Sequence, residues 1–205
     1  MAKLSEDLTA FLRAPERGDK ISMSEIQTLA GERGFGFLFI ILALPSALPV
    51  PAPGYSIPFG LVLGFLALQM VAGRQTPWLP QRARRASVPL DLGRAFLEKG
   101  TWLLQRAEFF TRPRLPWLCQ SFVGRRALGV AIALMATSML IPVPGTNTLP
   151  AFSIFVMGFG LLDDDGIVSL LGLLVSAMAG AVSISILFFG FNILKLFIQQ
   201  LKAAF

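Results

Sequence analysis

The sequence predicts an all-α polytopic membrane protein with two helix–break–helix repeats followed by one C-terminal transmembrane helix. Three tracts, residues 34–73, 127–162 and 166–194, contain no Asp, Glu, Lys or Arg. A transmembrane helix needs only about 20 apolar residues. Of the 205 residues, 54% are hydrophobic and 15% charged, whereas a soluble domain has about 25% charged. This composition argues against a soluble enzyme, a disordered chain and a disulfide scaffold.

The residue types that are missing also narrow the possible functions. The chain has no histidine and one cysteine, Cys119, which excludes histidine-based catalytic triads, zincin motifs and multi-cysteine metal sites. Asp163–Asp165 has a D-x-D spacing, but so short a match indicates an acidic loop. We therefore expect no enzyme activity, no metal and no cofactor. The net charge of +6 fits the positive-inside bias of membrane proteins, so nucleic acid is not an expected partner.

The first repeat, residues 31–73, is an apolar tract with a break in its middle. The arms 35–48 and 59–72 flank a segment containing Pro49, Pro51 and Pro53. Proline removes a backbone donor and disrupts the preceding turn. Each 14-residue arm is about 21 Å long, shorter than the roughly 30 Å hydrocarbon core. The pair is therefore predicted either to re-enter the membrane or to cross a thinned one twice.

The second repeat, residues 124–162, has the same plan, with Pro142 and Pro144 in its break. Arg33 and Arg126 each precede a Pro-Val-Pro sequence by 16 residues. The offset between the repeats is 93, and a two-residue gap changes it to 91 in the second arms. This alignment pairs Gly54 with Gly145 and Ser56 with Asn147. We interpret the pattern as an internal duplication, either inverted or parallel.

The remaining segments complete a single integral membrane domain that spans residues 1–205. The connector, residues 74–123, is basic, and the apolar periodicity of residues 92–110 predicts an amphipathic helix in the membrane interface. Residues 166–194 predict a transmembrane helix. The basic connector favours the cytoplasmic side, which indicates a multi-pass protein of a bacterial inner membrane. The side on which Asp163–Asp165 lies stays open.

Candidate binding residues lie at the breaks and before the arms. Helix N-termini bind anions, so Ser56, Asn147, Gly54 and Gly145 are candidates, with a tight structural turn as the alternative. Arginine suits phosphate recognition through its planar fork. Membrane anchoring is the alternative role for these arginines. The basic candidates are Arg33, Arg126 and Arg74.

Several short motifs in combination resemble the ExoD family of bacterial exopolysaccharide-synthesis membrane proteins. The likeness covers about residues 5–195, and Pro142 through Asn147 carry it into the second half. In the first half the motifs are Gly31-Glu32-Arg33-Gly34, Ala43-Leu44-Pro45, residues 49–56, Gln69-Met70, Gly73-Arg74 and Pro77-Trp78-Leu79-Pro80. The duplicated broken helices also resemble DedA-type membrane proteins in architecture. The arms here are uncharged, so the proton coupling associated with DedA proteins is not carried over.

The resemblance implies a role in exopolysaccharide synthesis or export. We hypothesise that the protein translocates or presents an anionic, polyprenyl phosphate-type lipid intermediate, with Arg33 and Arg126 at the phosphate and the breaks forming a central site. The alternative is a non-transporting assembly partner of a polysaccharide synthase or exporter. Expected partners are membrane lipids, a second copy of this small chain or the polysaccharide synthesis machinery.

Overall fold

A computed structural model describes residues 20–22, 33–47, 56–80, 87–89, 113–141 and 147–204. The structure is helical apart from two three-residue strands, which pair antiparallel with Ile21 opposite Val88. The proline- and glycine-rich segments 48–55 and 142–146, at the centres of the two breaks, lie outside the described residues. The amphipathic segment 92–110 lies outside them as well. The elements are β1 (Lys20–Ser22), α1 (Gly34–Ala47), α2 (Ser56–Val71), β2 (Ser87–Pro89), α3 (Pro116–Gln120), α4 (Phe122–Ser138), α5 (Thr148–Leu162) and α6 (Gly166–Ala204).

The helices of the two repeats form where the sequence is apolar, and their bounds are close to those predicted. Pro58 and Pro150 lie in the first turns of α2 and α5, where the backbone N–H has no helical acceptor, so proline is tolerated. Helix α4 begins at Phe122, before the charge-free tract that starts at residue 127, because the Ser121 side chain caps it by accepting from Gly124 N at 3.0 Å. The helix therefore includes Arg125 and Arg126.

Helices α1 and α5 pack closely along an antiparallel crossing. Gly36, near the start of α1, lies against Leu162 and Gly158, near the end of α5. A Cβ on Gly36 would be 2.7 Å from Leu162 N and 2.8 Å from Gly158 O. Only glycine permits so close an approach of two backbones.

Helices α2 and α4 form a second antiparallel crossing of the same kind. A Cβ on Gly129 would be 3.2 Å from Val71 N and 3.3 Å from Ala67 O. Gly129 follows Gly36 by 93 residues, while Val71 and Ala67 precede the α5 contact residues by 91. The contact residues of the two crossings are thus related by the offsets of 93 and 91 that align the two repeats in the sequence. The boundaries of the repeats stay a prediction.

The two helical hairpins, α1 followed by α2 and α4 followed by α5, run in the same direction. The Arg125 guanidinium lies 5.9 Å from the centre of the Phe35 ring, so α1 and α4 begin side by side. Their antiparallel partners α5 and α2 therefore end at that level. This arrangement agrees with the parallel alternative and gives no support to inverted repeats. We call the level of residues 33–36, 71–75, 122–126 and 160–166 the arginine end, and the level of residues 45–47, 56–60, 136–141 and 147–151 the break end.

The acidic turn 163–165 lies at the arginine end and starts α6. Gly166 N donates to Arg114 O at 2.6 Å, which places the turn beside the segment before α3. Asp165 is buried, and its Oδ1 accepts from Ile167 N at 3.0 Å and Val168 N at 3.3 Å. It is therefore an N-cap of α6, and the turn lies on the same side of the bundle as the start of the connector.

Among the described residues, one segment, Gly166–Ile186 of α6, is long and apolar enough to cross a membrane. The core helix of a soluble protein would be mostly buried, but only 22% of this window is. Helices α1, α2 and α5 are apolar but shorter. Large apolar side chains are also exposed on several helices. The most exposed include Leu61, Leu68, Val123, Leu134, Leu174, Met178 and Ile184.

The C-terminal helix is longer than predicted. The charge-free tract ends at residue 194, whereas α6 continues to Ala204 without interruption. Since 39 residues of helix span about 58 Å, α6 extends well beyond the break end. The hydroxyl of Ser183 lies 3.2 Å from that of Ser138, which marks where α6 passes the end of α4.

Candidate functional site

Arg126 is an exposed cation held in a defined place at the arginine end. Its guanidinium carbon lies 3.7 Å from the centre of the Phe122 ring, within the range of a cation–π contact. It also lies beside Gly73, since a Cβ there would be 3.8 Å from an Arg126 nitrogen. Gly73 has φ of +88°, so it forms the left-handed cap that ends α2. Arg74 follows at once and is exposed.

Arg125 connects the two hairpins. Its guanidinium donates to Gln75 O at 3.3 Å and approaches the Phe35 ring. Arg33, half-buried, directly precedes α1 and lies two residues from Phe35. The structure therefore places Arg33, Arg74, Arg125 and Arg126 at one end of the bundle, the end that also carries the acidic turn 163–165.

A side-chain amide fixes the extended segment 74–80 against α2. Gln69 is 8% exposed. Its Oε1 accepts from Trp78 N at 2.6 Å, and its Nε2 donates to Trp78 O at 3.0 Å. The Trp78 side chain is half exposed and meets the Phe65 ring edge to face. A tryptophan so placed suits a membrane–water interface.

The break end carries neutral polar groups. Ser56 is the first residue of α2 and is 5% exposed. Asn147 precedes α5, but its side chain makes no capping hydrogen bond. Within the described residues, the buried side-chain oxygens without a hydrogen-bond partner are Ser46 Oγ and Asn147 Oδ1. The candidates Gly54, Gly145, Pro49, Pro51, Pro53, Pro142 and Pro144 lie outside the described residues.

The structure does not bring all the predicted binding residues together. Arg33, Arg74 and Arg126 lie at the arginine end, whereas Ser56 and Asn147 lie at the break end. Twelve to thirteen helical residues separate the levels, about 20 Å at 1.5 Å per residue. The arginines and the breaks therefore lie at opposite ends of helices of 14 to 17 residues, and a central site formed by the two breaks stays a prediction.

The sequence alone did not predict the buried positions of three polar or thiol side chains. Ser46 sits in an apolar helix, and only its neighbour Pro45 hinted at the helix end. Gln69 was noted as part of a motif, but an isolated polar residue in an apolar tract was the available signal for a buried hydrogen-bonding role. Cys119 is buried between Gly160 O at 3.4 Å and Ser169 Oγ at 3.3 Å. Burial raises the pKa of its thiol, so it is a packing residue.

Comparison with known proteins agrees with the motif-based resemblance. A family model described as "Exopolysaccharide synthesis, ExoD" matches residues 4–185. The chain belongs to the ExoD family. It is 41% identical over 192 residues to the uncharacterized protein slr1875 of Synechocystis, covering 94% of this chain and 91% of that one. It is 32% identical over 167 residues to Protein ExoD of Rhizobium meliloti, covering 80% and 69%. No solved structure matches the chain.

ExoD membership implies involvement in exopolysaccharide synthesis. It also suggests a membrane protein, which the exposed apolar helix Gly166–Ile186 fits. The ExoD-like motifs fall at both ends of the bundle. Gly73-Arg74 and the segment containing Trp78 are at the arginine end, and Asn147 is at the break end.

Proposed function

We propose that this ExoD-family protein is a multi-pass protein of the bacterial inner membrane that binds an anionic, polyprenyl phosphate-type lipid at its arginine end and presents it for exopolysaccharide synthesis or export. The observation that carries the proposal is the gathering of exposed Arg126 and Arg74 with Arg33 at one end of an apolar bundle. Arginine forks suit phosphate oxygens, and the exposed apolar surface suits a lipid chain.

The arrangement supports phosphate binding more directly than movement across the membrane. Arg126 is held over Phe122, so little side-chain entropy is lost when it meets an anion. Charges that lie within a Debye length, about 8 Å at physiological salt, act together on one anion, and the proposal requires the arginines at this end to act in that way on one phosphate. A translocated headgroup would have to leave them and travel about 20 Å along the helices.

Binding of a fluorescent polyprenyl phosphate to the pure protein in nanodiscs of zwitterionic lipid tests the proposal. Loss of a charged hydrogen bond costs about 1.5–3 kcal/mol, so Arg126→Ala should weaken binding roughly tenfold or more. Lys202→Ala is the matched control, because it removes one positive charge from the far end of α6. Arg126→Lys keeps the charge without the fork and should fall between wild type and Arg126→Ala.

The same probe in liposomes tests movement. Wild-type protein that binds the lipid without accelerating its transfer between leaflets acts by presentation. Accelerated transfer that Arg126→Ala abolishes shows translocation. Equal affinity for polyprenyl phosphate and neutral polyprenol would overturn the proposal and favour the assembly partner of a synthase or exporter.

A further inference from the structure

The break end contains two buried oxygens that the protein itself does not satisfy. Ser46 is 2% exposed, and its Oγ has no hydrogen-bond partner. Asn147 Oδ1 is also buried and without a partner. Nearly all buried polar groups in folded proteins are paired, so such exceptions point to a missing ligand or water. The nearby Ser153 hydroxyl, by contrast, donates to Pro150 O at 2.7 Å.

The antiparallel crossing of α1 and α5 brings the two unpaired groups to the same level. Gly36 lies opposite Gly158 and Leu162. Ser46 is ten residues further along α1, about 15 Å by helical rise. The same distance back along α5 reaches Pro150, in its first turn. Ser46 is therefore level with the start of α5, within about one turn of Asn147.

The chemistry at this level selects a neutral ligand. Residues 34–73 and 127–162 contain no charged side chain, so the described residues of these repeats supply no counter-charge at the break end for a phosphate or a metal ion. An amide oxygen requires a donor, whereas a serine hydroxyl both donates and accepts. A ligand hydroxyl meets both needs at once. Around these groups the helices are apolar, as in most small-molecule sites.

We propose that the break end is a binding site for a neutral saccharide, whose hydroxyl groups pair with Asn147 Oδ1 and Ser46 Oγ. This inference rests on the proposed function, because it gives a saccharide used in exopolysaccharide synthesis a second place on the same protein, as a molecule separate from the lipid phosphate at the arginines. The site is about 20 Å from the arginines, so sugar binding does not require Arg126.

Photo-crosslinking in nanodiscs tests the site with two probes of equal chain length. One is a photoactivatable alkyl glucoside, and the other carries a methyl ether in place of the sugar. Peptide mass spectrometry reports labelling at residues 45–47, 56–60, 139–141 and 147–151. We expect the glucoside to label these segments several-fold more than the ether. Ser46→Ala or Asn147→Leu should lower that labelling about fivefold, as expected for one net hydrogen bond.

Matched variants separate this proposal from its alternatives. Ser185→Ala removes an exposed serine hydroxyl that bonds within α6, to Ala181 O, and should leave labelling unchanged. Arg126→Ala should also leave it unchanged, so failure of anionic-lipid binding and failure of sugar binding are distinguishable. Equal labelling by both probes would show simple partitioning into apolar surface and overturn the site. Unaltered glucoside labelling in both Ser46→Ala and Asn147→Leu would also overturn it.

Discussion

Replacing Gly36 by alanine should destabilise the bundle more than the same change at Gly129 of α4 or Gly64 of α2. An added Cβ would lie 2.7 Å from Leu162 N and 2.8 Å from Gly158 O. Both atoms belong to the α5 backbone, so relief requires α1 and α5 to move apart. Overpacking of this kind costs about 1–3 kcal/mol, and the improved helix propensity of alanine returns about 1 kcal/mol.

Gly64 provides the matched control within α2. Its added Cβ would be 3.7 Å from the Ala136 Cβ, an ordinary van der Waals contact. Gly64→Ala should therefore keep the full propensity gain, about 1 kcal/mol. Gly129→Ala should fall between the two, because its nearest contact would be the Val71 side chain at 3.0 Å. Since both variants gain the same helix propensity, the two extremes should differ by the overpacking cost, about 1–3 kcal/mol.

Thermal unfolding of the detergent-solubilised protein, followed by intrinsic tryptophan fluorescence, measures this order. A chain of this size shifts its Tm by about 2–4 °C per kcal/mol. Gly36→Ala should therefore unfold roughly 2–12 °C below Gly64→Ala, a range that follows from the difference in free energy. Equal Tm values for these two variants would refute the close antiparallel crossing of α1 and α5.

Two further substitutions and one thiol alkylation test contacts near the arginine end. Gln69→Leu should lower the free energy of unfolding by about 1–3 kcal/mol, because the backbone N–H and C=O of Trp78 lose their partners. The tryptophan emission should shift to the red relative to wild type. Unchanged emission and Tm would contradict the two hydrogen bonds between Gln69 and Trp78. Asp165→Ala should cost about 0.5–2 kcal/mol as a lost N-cap, whereas Asp164→Asn should be near neutral by the same Tm measurement. Burial raises the pKa of the Cys119 thiol. Because thiolate is the reactive form, alkylation of Cys119 in the folded protein should be slow at pH 8 and should accelerate at higher pH or on unfolding. Rapid alkylation at pH 8 would contradict the burial of Cys119.

Much of the helical framework was predictable because it depends on local signals. Charge-free tracts and prolines located the arms of both hairpins to within a few residues. The start of α4 was missed because the Ser121 cap extends the helix through Arg125 and Arg126, which were assigned to a flank. Residues 20–22 and 87–89 gave no clear strand pattern, since a three-residue ribbon depends on a partner 67 residues away.

The candidate site was predicted in its residue types and not in its layout. Arginine before an arm and asparagine in a break are local features, so both could be read from the sequence. Their separation follows from helix direction, which the pattern left open between parallel and inverted repeats. Close backbone contacts at Gly36 and Gly129 decide the direction, and such contacts are not visible in hydropathy. Ser46 became a candidate only through its burial without a partner.

The parallel hairpins also bear on the two sides of the proposed membrane. Each hairpin returns to the arginine end, so Arg33, the start of the connector and Asp163–Asp165 share one side. Among the described elements, α6 alone continues past the break end. In the proposed membrane, the positive-inside rule assigns the arginine end to the cytoplasm and the end of α6 to the opposite side, although α6 carries Lys195 and Lys202 near that end. From Gly166 to Ser183, level with the end of α4, α6 rises about 26 Å. Because the hydrocarbon core is about 30 Å thick, the break end comes close to the far boundary. A phosphate at the arginines and a sugar at Ser46 would therefore be bound near opposite faces of the membrane.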